Sequence, residues 1–212
     1  SLSRGLGDVY KRQSNGSNKE DAFAAVVSTI NRVNEIFENE LGIHLELVNG
    51  LDLIYDDPDN DPYTDDFGSE VQETLDEVFG SQNYDIGHLF AYSTASGGGN
   101  AGSVGNVCID NKKGSAYSYH PFEGSFNDPF LSDHFDIDYV AHEMAHQFGA
   151  FHTFGYENEF EGVSSEPGSG STIMGYAGIT GSDNVQRHSD PYFHYHSLKN
   201  INDYVQNQTC YT

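Results

Sequence analysis

Three histidines and a glutamate in one short stretch of the sequence have the spacing of a metal site. His142 and His146 are four positions apart in a segment that predicts a helix, so both imidazoles lie on one face and can reach one zinc ion. Glu143 lies beside them, where its carboxylate can take a proton from a water molecule on the metal. Gly149 permits a bend that ends the helix, and His152 can then supply the third ligand. Three protein ligands leave a fourth position open, which is typical of catalytic zinc. The alternative is an ordinary amphipathic helix whose histidines face solvent.

A methionine further along the chain agrees with the metal-site interpretation. The run from Ser171 to Tyr176 reads STIMGY, and Met174 is one of only two methionines in the chain. An isolated Met is usually core filler, so this feature has little weight without the histidines. Taken together, the pattern HExxHxxGxxH and the later Met resemble the metzincin zinc endopeptidases.

Among the metzincins, the chain is most similar to the reprolysin (adamalysin) group and its secreted bacterial relatives. The similarity extends from about Lys19 to the C-terminus and includes the segments YDIGHLF, GGGNAGSVGNVCIDNKKGSAYS and GSGSTIMGYAG. The resemblance implies a zincin-like fold of the α+β or α/β class: a mixed, mostly parallel five-stranded sheet, two long helices above the cleft, and a small irregular lower subdomain that ends in a helix. It also implies that Met174 forms an apolar floor beneath the metal and that Cys108 is disulfide-bonded to Cys210.

The resemblance and the chemistry of the motif together imply a zinc-dependent endopeptidase. Glu143 would act as general base toward water and then as acid toward the leaving amine, with one catalytic Zn²⁺ as cofactor. The Gly99–Val107 region is expected to offer an edge strand to an extended protein or peptide substrate. We expect a secreted monomer.

Three features depart from the reprolysin pattern. Thr153 follows His152 where reprolysins usually have Asp. Tyr176, at the second position after Met174, is a pattern shared with astacins and serralysins, and it is either an oxyanion stabiliser or part of the cleft wall. The opening strand of the family cannot be found in the sequence. One alternative is therefore a metzincin of astacin or serralysin type, and the other is a catalytically silent, zinc-containing binding or adhesion module.

Length, charge and cysteine count exclude several classes of protein and of metal site. The 212 residues suffice for one domain of ordinary size. Nine Lys and Arg against 33 Asp and Glu give a net charge of −24, which excludes a nucleic-acid binder because phosphates would be repelled. No apolar run approaches the roughly 20 residues of a membrane span. Two cysteines exclude a four-cysteine zinc site and allow one disulfide or two free thiols.

Apolar periodicity and turn residues predict the elements that position the motif. The helix–strand alternation of the first half favours a parallel αβ arrangement with right-handed crossovers. The predicted elements are a helix over Lys19–Leu41 ended by Gly42, a strand over His44–Tyr55, a helix from Ser69 with a Ser69/Gln72 capping box, strands over Tyr84–Tyr92 and Ser115–His120, and helices over Asp138–Phe148 and about Phe193–Val205.

The N-terminal segment differs in composition from the rest of the chain. Residues 1–17 contain three of the nine basic residues, and their DVYKRQ stretch matches a translated sequencing adapter. We therefore expect an adapter-derived or disordered leader over 1–17. Residues 18–212 are then one metzincin catalytic domain without its first strand, with an upper subdomain over about 18–149 and a lower one over about 150–212.

Two weaker groups of ligand-type residues remain. The acidic loop Asp56–Asp66 begins like an EF-hand, but Pro62 stands where that loop needs Gly, so a solvated loop is the preferred interpretation. Asp85 is a candidate for structural Ca²⁺ through the resemblance alone. The other histidines of interest are expected at the surface: His120, His134, His188, His194 and His196.

Overall fold

The computed structural model describes residues 2–7, 19–48, 50–55, 59, 61–64, 66–92, 97–120, 132–159 and 162–210. This part of the chain contains one sheet of five strands: β1 (Leu2–Gly7), β2 (Glu46–Leu47), β3 (Ile86–Tyr92), β4 (Gly98–Asn100) and β5 (Ala116–His120).

The strands follow the order β2-β1-β3-β5-β4 across the sheet. The pairs β1–β2, β1–β3 and β3–β5 are parallel, whereas β4 lies antiparallel to β5 at one edge. In the register, Leu89 lies opposite Tyr117, and Gly99 lies opposite Ser118. This arrangement confirms the expected mixed, mostly parallel sheet.

In the described residues, four α-helices accompany the sheet: α1 (Lys19–Leu41), α2 (Phe67–Phe79), α3 (His142–Gln147) and α4 (Tyr195–Val205). Helix α1 has the predicted limits, and its buried face includes Val26, Ile30 and Phe37. It ends where Gly42 adopts a φ of +66° and donates its N–H to the carbonyl of Glu38 (3.1 Å). None of the helices described is long and apolar enough to cross a membrane.

The most important difference from the sequence prediction concerns the opening strand. We expected residues 1–17 to lie outside the fold and the first strand to be missing, but Leu2–Gly7 forms β1 between β2 and β3. Parallel pairing uses backbone groups, so a strand without a clear side-chain pattern can occupy a central position. Residues 8–17 lie outside the described residues, and the domain boundary at 17/18 stays a prediction.

Two other elements differ from their predicted limits. The strand expected over His44–Tyr55 is reduced to β2 and a 3₁₀ turn at Leu51–Leu53, because only two residues of this edge pair with β1. The apolar pattern there reflects burial rather than strand pairing, since Leu53 and Ile54 are each 1% exposed.

The predicted Ser69/Gln72 capping box is also wrong. Helix α2 begins two residues earlier, at Phe67, and its N-cap Asp66 makes no side-chain capping bond. Gln72 instead donates to the hydroxyl of Tyr84 (2.7 Å) and accepts from the backbone N–H of Gly114 (2.7 Å). This side chain therefore fixes α2 to the turn that precedes β5.

The helix that carries the histidine motif is fixed to the sheet at its C-terminal end. Gln147 donates to the carbonyl of Gly87 (3.1 Å), and its side-chain oxygen accepts from His88 (3.2 Å). Two carbonyls of the last turn, which have no partner within the helix, accept N–H groups from Gly105 (2.9 Å) and Asn106 (2.9 Å). A buried polar network thus holds α3 in one position relative to β3.

A π-helical stretch, Phe135–Ala141, leads directly into α3. The sequence predicted one α-helix that begins at Asp138, whereas the helical chain begins earlier and changes type at His142. π-Helical insertions are rare and are found mostly at functional sites.

The second half of the chain returns to the sheet through α4 and a disulfide. Cys108 and Cys210 are bonded across 102 positions of sequence, with their Cα atoms 5.7 Å apart. Tyr204 of α4 donates its hydroxyl to the carbonyl of Val107 (2.6 Å). Ile201 is fully buried in the same core as α1.

Candidate metal centre

The bend after α3 brings the third histidine back toward the first two. Gly149 adopts a φ of +96°, which L-residues rarely adopt, and donates its N–H to the carbonyl of His146 (2.8 Å). A Cβ at Gly149 would lie 2.8 Å from the Cβ of Tyr204, so conformation and space both require glycine here. The predicted glycine bend is present.

The three imidazoles converge through the same ring atom. The Nε2 atom of His152 lies 3.2 Å from that of His142 and 2.9 Å from that of His146. Two of the ligands come from one helical turn and the third from the segment after the bend. The geometry is the one that the HExxHxxGxxH spacing predicted.

The opposite ring nitrogens determine which atoms are free to bind a cation. Nδ1 of His142 donates to the carbonyl of Ile173 (2.6 Å), and Nδ1 of His146 donates to the carbonyl of Ala150 (2.7 Å). A backbone carbonyl only accepts, so the proton of each ring belongs on Nδ1. The Nε2 lone pairs of His142 and His146 therefore point toward Nε2 of His152, and a cation bound between the three atoms would stabilise this arrangement.

The third ligand is oriented by a carboxylate. Nδ1 of His152 contacts Oε2 of Glu159 at 2.7 Å, the arrangement in which a carboxylate fixes a metal-binding histidine and raises its basicity. Tetrahedral zinc with bonds of about 2.0–2.1 Å places its nitrogen ligands roughly 3.3 Å apart, close to the spacing of the three Nε2 atoms. The donor set and its tautomers thus fit a zinc ion.

Burial keeps these histidines neutral. Loss of solvent lowers the pKa of His146 to about 3 and, together with the neighbouring imidazoles, lowers that of His152 to about 2. Burial also lowers the pKa of His142. A metal therefore does not have to displace protons from these rings at neutral pH.

Glu143 lies against β4, the edge strand that contains Gly98 and Gly99. Its side chain is buried, which raises the pKa of Glu143 to about 8, although a hydrogen bond with the backbone of Ala101 opposes part of the shift. A Cβ on Gly99 would lie 2.5 Å from Cγ of Glu143. A carboxylate with a high proton affinity is therefore held next to the three imidazoles, in the same cavity of about 320 Å³.

Tyr176 contributes an aromatic wall to this cavity. Its ring centroid lies 4.5 Å from that of His152, 4.6 Å from that of Phe154 and 5.8 Å from that of His142. Burial, followed by the nearby carboxylates of Glu159 and Glu143, raises the pKa of the phenol. Tyr176 thus stays protonated and able to donate a hydrogen bond.

Comparison with known families identifies the chain. Residues 8–204 match the metallopeptidase family M12B, reprolysin-like. The chain belongs to this family. The match favours the reprolysin-like group over the astacin and serralysin alternatives, and it agrees with the fold and with the three-histidine cluster.

Comparisons with individual proteins add information on the fold alone. The reprolysin-like chain is similar to a solved structure described as "Structure of a chaperone-substrate complex", with a TM-score of 0.52 and 11% identity. The likeness covers 97% of this chain and 33% of the other, so the chain spans about one third of that structure's length. No curated protein matches the chain.

The turn around Met174 (residues 171–176, the Met turn) is joined to the segment of the third histidine by a glutamate that the sequence analysis missed. The buried carboxylate of Glu166 accepts the hydroxyls of Thr153 and Thr172 and the backbone N–H groups of Ser171 (2.9 Å) and Thr172 (3.1 Å). Thr153 also donates its N–H to the carbonyl of Met174 (3.0 Å). The sequence feature that could have indicated this contact is Thr153, which has a hydroxyl at a position where the family usually has a carboxylate.

Met174 and the flanking backbone support the first ligand. Met174 is fully buried in the core, and the carbonyl of the preceding Ile173 orients His142. A role as the floor beneath the metal stays a prediction. One cavity is lined by the other predicted site residues, namely the three histidines, Glu143 and Tyr176.

The expectation that the remaining histidines lie at the surface is wrong for His120, which is 2% exposed and packs against Phe135 and Tyr139. His134 and His188 are half-buried and stack on each other. The ring of His194 caps helix α4 by accepting from the N–H of residue 196.

Calcium finds no support in the described part of the chain. Two groups of three metal-ligand side chains occur there. One is the cluster of His142, His146 and His152, and the other consists of His134, Asp138 and His188. Asp85 belongs to neither. The acidic loop Asp56–Asp66 lies partly outside the described residues, at 56–58, 60 and 65.

Proposed function

We propose that this chain is a zinc-dependent endopeptidase in which Glu143 is the general base. The observation that carries the proposal is the convergence of three Nε2 atoms, each on a ring whose Nδ1 already has an acceptor, beside a buried carboxylate in one cavity. Membership of a metallopeptidase family supports the reaction class.

The residues would hold zinc through His142, His146 and His152. When bound, zinc supplies Lewis acidity that lowers the pKa of water toward about 7 and polarises the scissile carbonyl. The positive charge of a bound metal would favour the ionised form of Glu143 despite its raised pKa. Glu143 then accepts the proton of the attacking water, whose oxygen adds to the peptide carbonyl carbon. The same carboxyl then delivers that proton to the amine nitrogen as the C–N bond breaks. One water molecule is consumed, and one carboxylic acid and one amine are released.

We assign assisting roles in this reaction to two further groups. Tyr176 can donate its hydroxyl to the developing oxyanion, because its phenol stays protonated and its ring lies against His152. The edge strand β4 presents backbone groups along the cavity, and an extended peptide can pair with them. Such pairing binds the middle of a chain, which supports endopeptidase rather than exopeptidase activity.

Secretion is part of the same proposal. A disulfide between Cys108 and Cys210 supports an oxidising compartment, since glutathione and thioredoxin keep most cytosolic thiols reduced.

The test compares Glu143→Ala with the wild type and with Glu157→Ala, a change of an exposed glutamate near the cleft. Hydrolysis of casein or a quenched peptide by Glu143→Ala should fall by about 10²–10⁴-fold, while its zinc content stays at the wild-type level. Glu157→Ala should retain activity. A Glu143→Ala protein with near-normal turnover would refute the mechanism. A wild type that holds zinc but cleaves nothing would instead favour the silent binding module.

A further inference from the structure

A second group of side chains of metal-ligand type lies outside the cluster of His142, His146 and His152. His134 directly precedes the π-helical stretch, and Asp138 lies within it. His188 comes from the segment after the Met turn, 50 positions along the chain from Asp138. One ligand atom from each residue lies within 4.8 Å of the others.

The contacts within this cluster are specific. The two imidazole rings are nearly parallel, with centroids 3.4 Å apart and an interplanar angle of 7°. Nδ1 of His188 lies 2.8 Å from Oδ2 of Asp138, and the second carboxylate oxygen accepts the N–H of Ser189 (2.8 Å). The side chains of His188 and Asp138 are 31% and 14% exposed, so the cluster is partly shielded yet open to a small ion.

The electrostatics favour a cation at this position over a proton on each ring. Two imidazolium ions in face-to-face contact would repel each other. Burial and the neighbouring His188 lower the pKa of His134, so that ring is neutral at pH 7. Two imidazoles and one carboxylate are a donor set that suits zinc and similar divalent metals.

The cluster also opens into the cleft. Asp138 and His188 line a cavity of about 320 Å³ whose other walls include His142, Glu143 and Tyr176. An ion can therefore reach the cluster through the cavity. In the stacked arrangement the lone pairs of the two rings run nearly parallel, so binding of one ion by both rings requires at least one histidine to rotate about χ2, a torsion that is broad.

We propose that His134, Asp138 and His188 form a second binding site for a divalent metal of the zinc type, separate from the three-histidine centre. For an ion to bind between Nδ1 of His188 and the carboxylate, the hydrogen that these atoms share moves to Nε2 of the same ring through solvent, which leaves the Nδ1 lone pair for the metal. Three protein ligands leave room for water or for a group of a bound peptide. This proposal does not depend on catalysis by the first centre.

The experiment measures zinc stoichiometry. The protein is stripped with 1,10-phenanthroline, reloaded with zinc sulfate, desalted and analysed by inductively coupled plasma mass spectrometry. The wild type should retain two zinc ions per chain. His188→Asn and His134→Asn should each retain one, His146→Asn should retain one, and the double variant His146→Asn/His188→Asn should retain none.

A matched control is the exposed pair of His44 and Glu38, also a histidine beside a carboxylate. His44→Asn should keep two zinc ions. A second readout avoids reliance on stoichiometry: zinc should raise the unfolding temperature of His146→Asn but not that of the double variant.

Two results would overturn the second site. One is a wild type that retains a single zinc ion lost in His146→Asn. The other is a His134→Asn or His188→Asn protein with lowered unfolding temperature and unchanged zinc content, because the cluster would then be a structural contact between the helix and the loop. Circular dichroism establishes that each variant is folded, and the two single variants substitute for each other if one is not.

Discussion

Replacing Glu166 with alanine should destabilise the protein by about 4 kcal/mol, although this residue touches no metal ligand directly. Its carboxylate accepts four hydrogen bonds: two from the hydroxyls of Thr153 and Thr172, and two from the backbone N–H groups of Ser171 and Thr172. Glu166 is 8% exposed, so water cannot readily take its place. The hydroxyls can rotate toward other acceptors, but the backbone donors cannot.

The magnitude follows from the two backbone donors. A buried donor that loses its acceptor costs about 1–3 kcal/mol, so two of them cost roughly 2–6 kcal/mol. That is a large part of an ordinary stability of about 5–15 kcal/mol. Glu166→Gln is the matched control, because its amide oxygen can keep both N–H groups while its NH₂ faces hydroxyls that can turn to accept. We expect this change to cost only about 1–2 kcal/mol, the loss of charge assistance.

The pH dependence of stability separates these variants further. The four hydrogen bonds lower the pKa of Glu166 despite its burial. A lowered pKa in the folded state stabilises the protein above the unfolded value of about 4.3, and this contribution is lost as the pH falls through the folded value. The difference in free energy of unfolding between wild type and Glu166→Gln should therefore shrink as the pH is lowered from 6 toward 3.

Urea unfolding at pH 7 and at pH 3, followed by circular dichroism, measures both effects. A Glu166→Ala protein within 1 kcal/mol of the wild type at pH 7 would contradict the reasoning, because it would mean that water or a neighbouring group satisfies the freed donors. An equal cost for the Ala and Gln variants would show that charge, rather than hydrogen-bond acceptance, is what matters.

Three further changes test other parts of the structure. Glu159→Gln should weaken zinc binding by about 10–100-fold in a chelator competition, because the third ligand loses its carboxylate partner, whereas Glu157→Gln should have no effect. Gly149→Ala should lower the free energy of unfolding, measured in urea, by at least about 2 kcal/mol, because backbone strain at positive φ adds to a clash with Tyr204. The control Gly181→Ala has a similar positive φ (+62°) but open space around it, so it should cost only about 1 kcal/mol. Cys210→Ser should cost about 4–5 kcal/mol in the same assay, because a loop of about 100 residues is no longer closed in the unfolded chain.

The local sequence pattern predicted those features whose cause is itself local. The helix over Lys19–Leu41 has the predicted limits because its apolar period is regular and a glycine ends it. The convergence of the three histidines follows from one helical turn and one glycine bend, both of which lie within 11 residues from His142 to His152. In each case the positions that matter are close in sequence, so periodicity is enough.

The partners of the ligands could not be predicted, because no periodicity connects them to the motif. Glu159 and Glu166 come from irregular chain, and their contacts depend on the path that this chain takes after the glycine bend. The pairing of His134 with His188 joins residues far apart in sequence. The strand at Leu2–Gly7 was not predicted for another reason. Its place in the sheet depends on backbone hydrogen bonds, which leave no pattern in the sequence.

The glycines of β4 have a consequence for how this cleft can discriminate between peptides. A methyl group on Gly98 would lie 2.6 Å from the hydroxyl of Tyr119, and one on Gly99 would meet Glu143. At Gly98 and Gly99 this rim can therefore present only main-chain amides, which bind an extended peptide whatever its side chains are. In the proposed endopeptidase, selectivity then depends on other side chains that line the same cavity, such as Arg187 and Ile179, which is 68% exposed. Substitutions intended to change the cleavage sites of the proposed endopeptidase should begin there and leave the strand untouched.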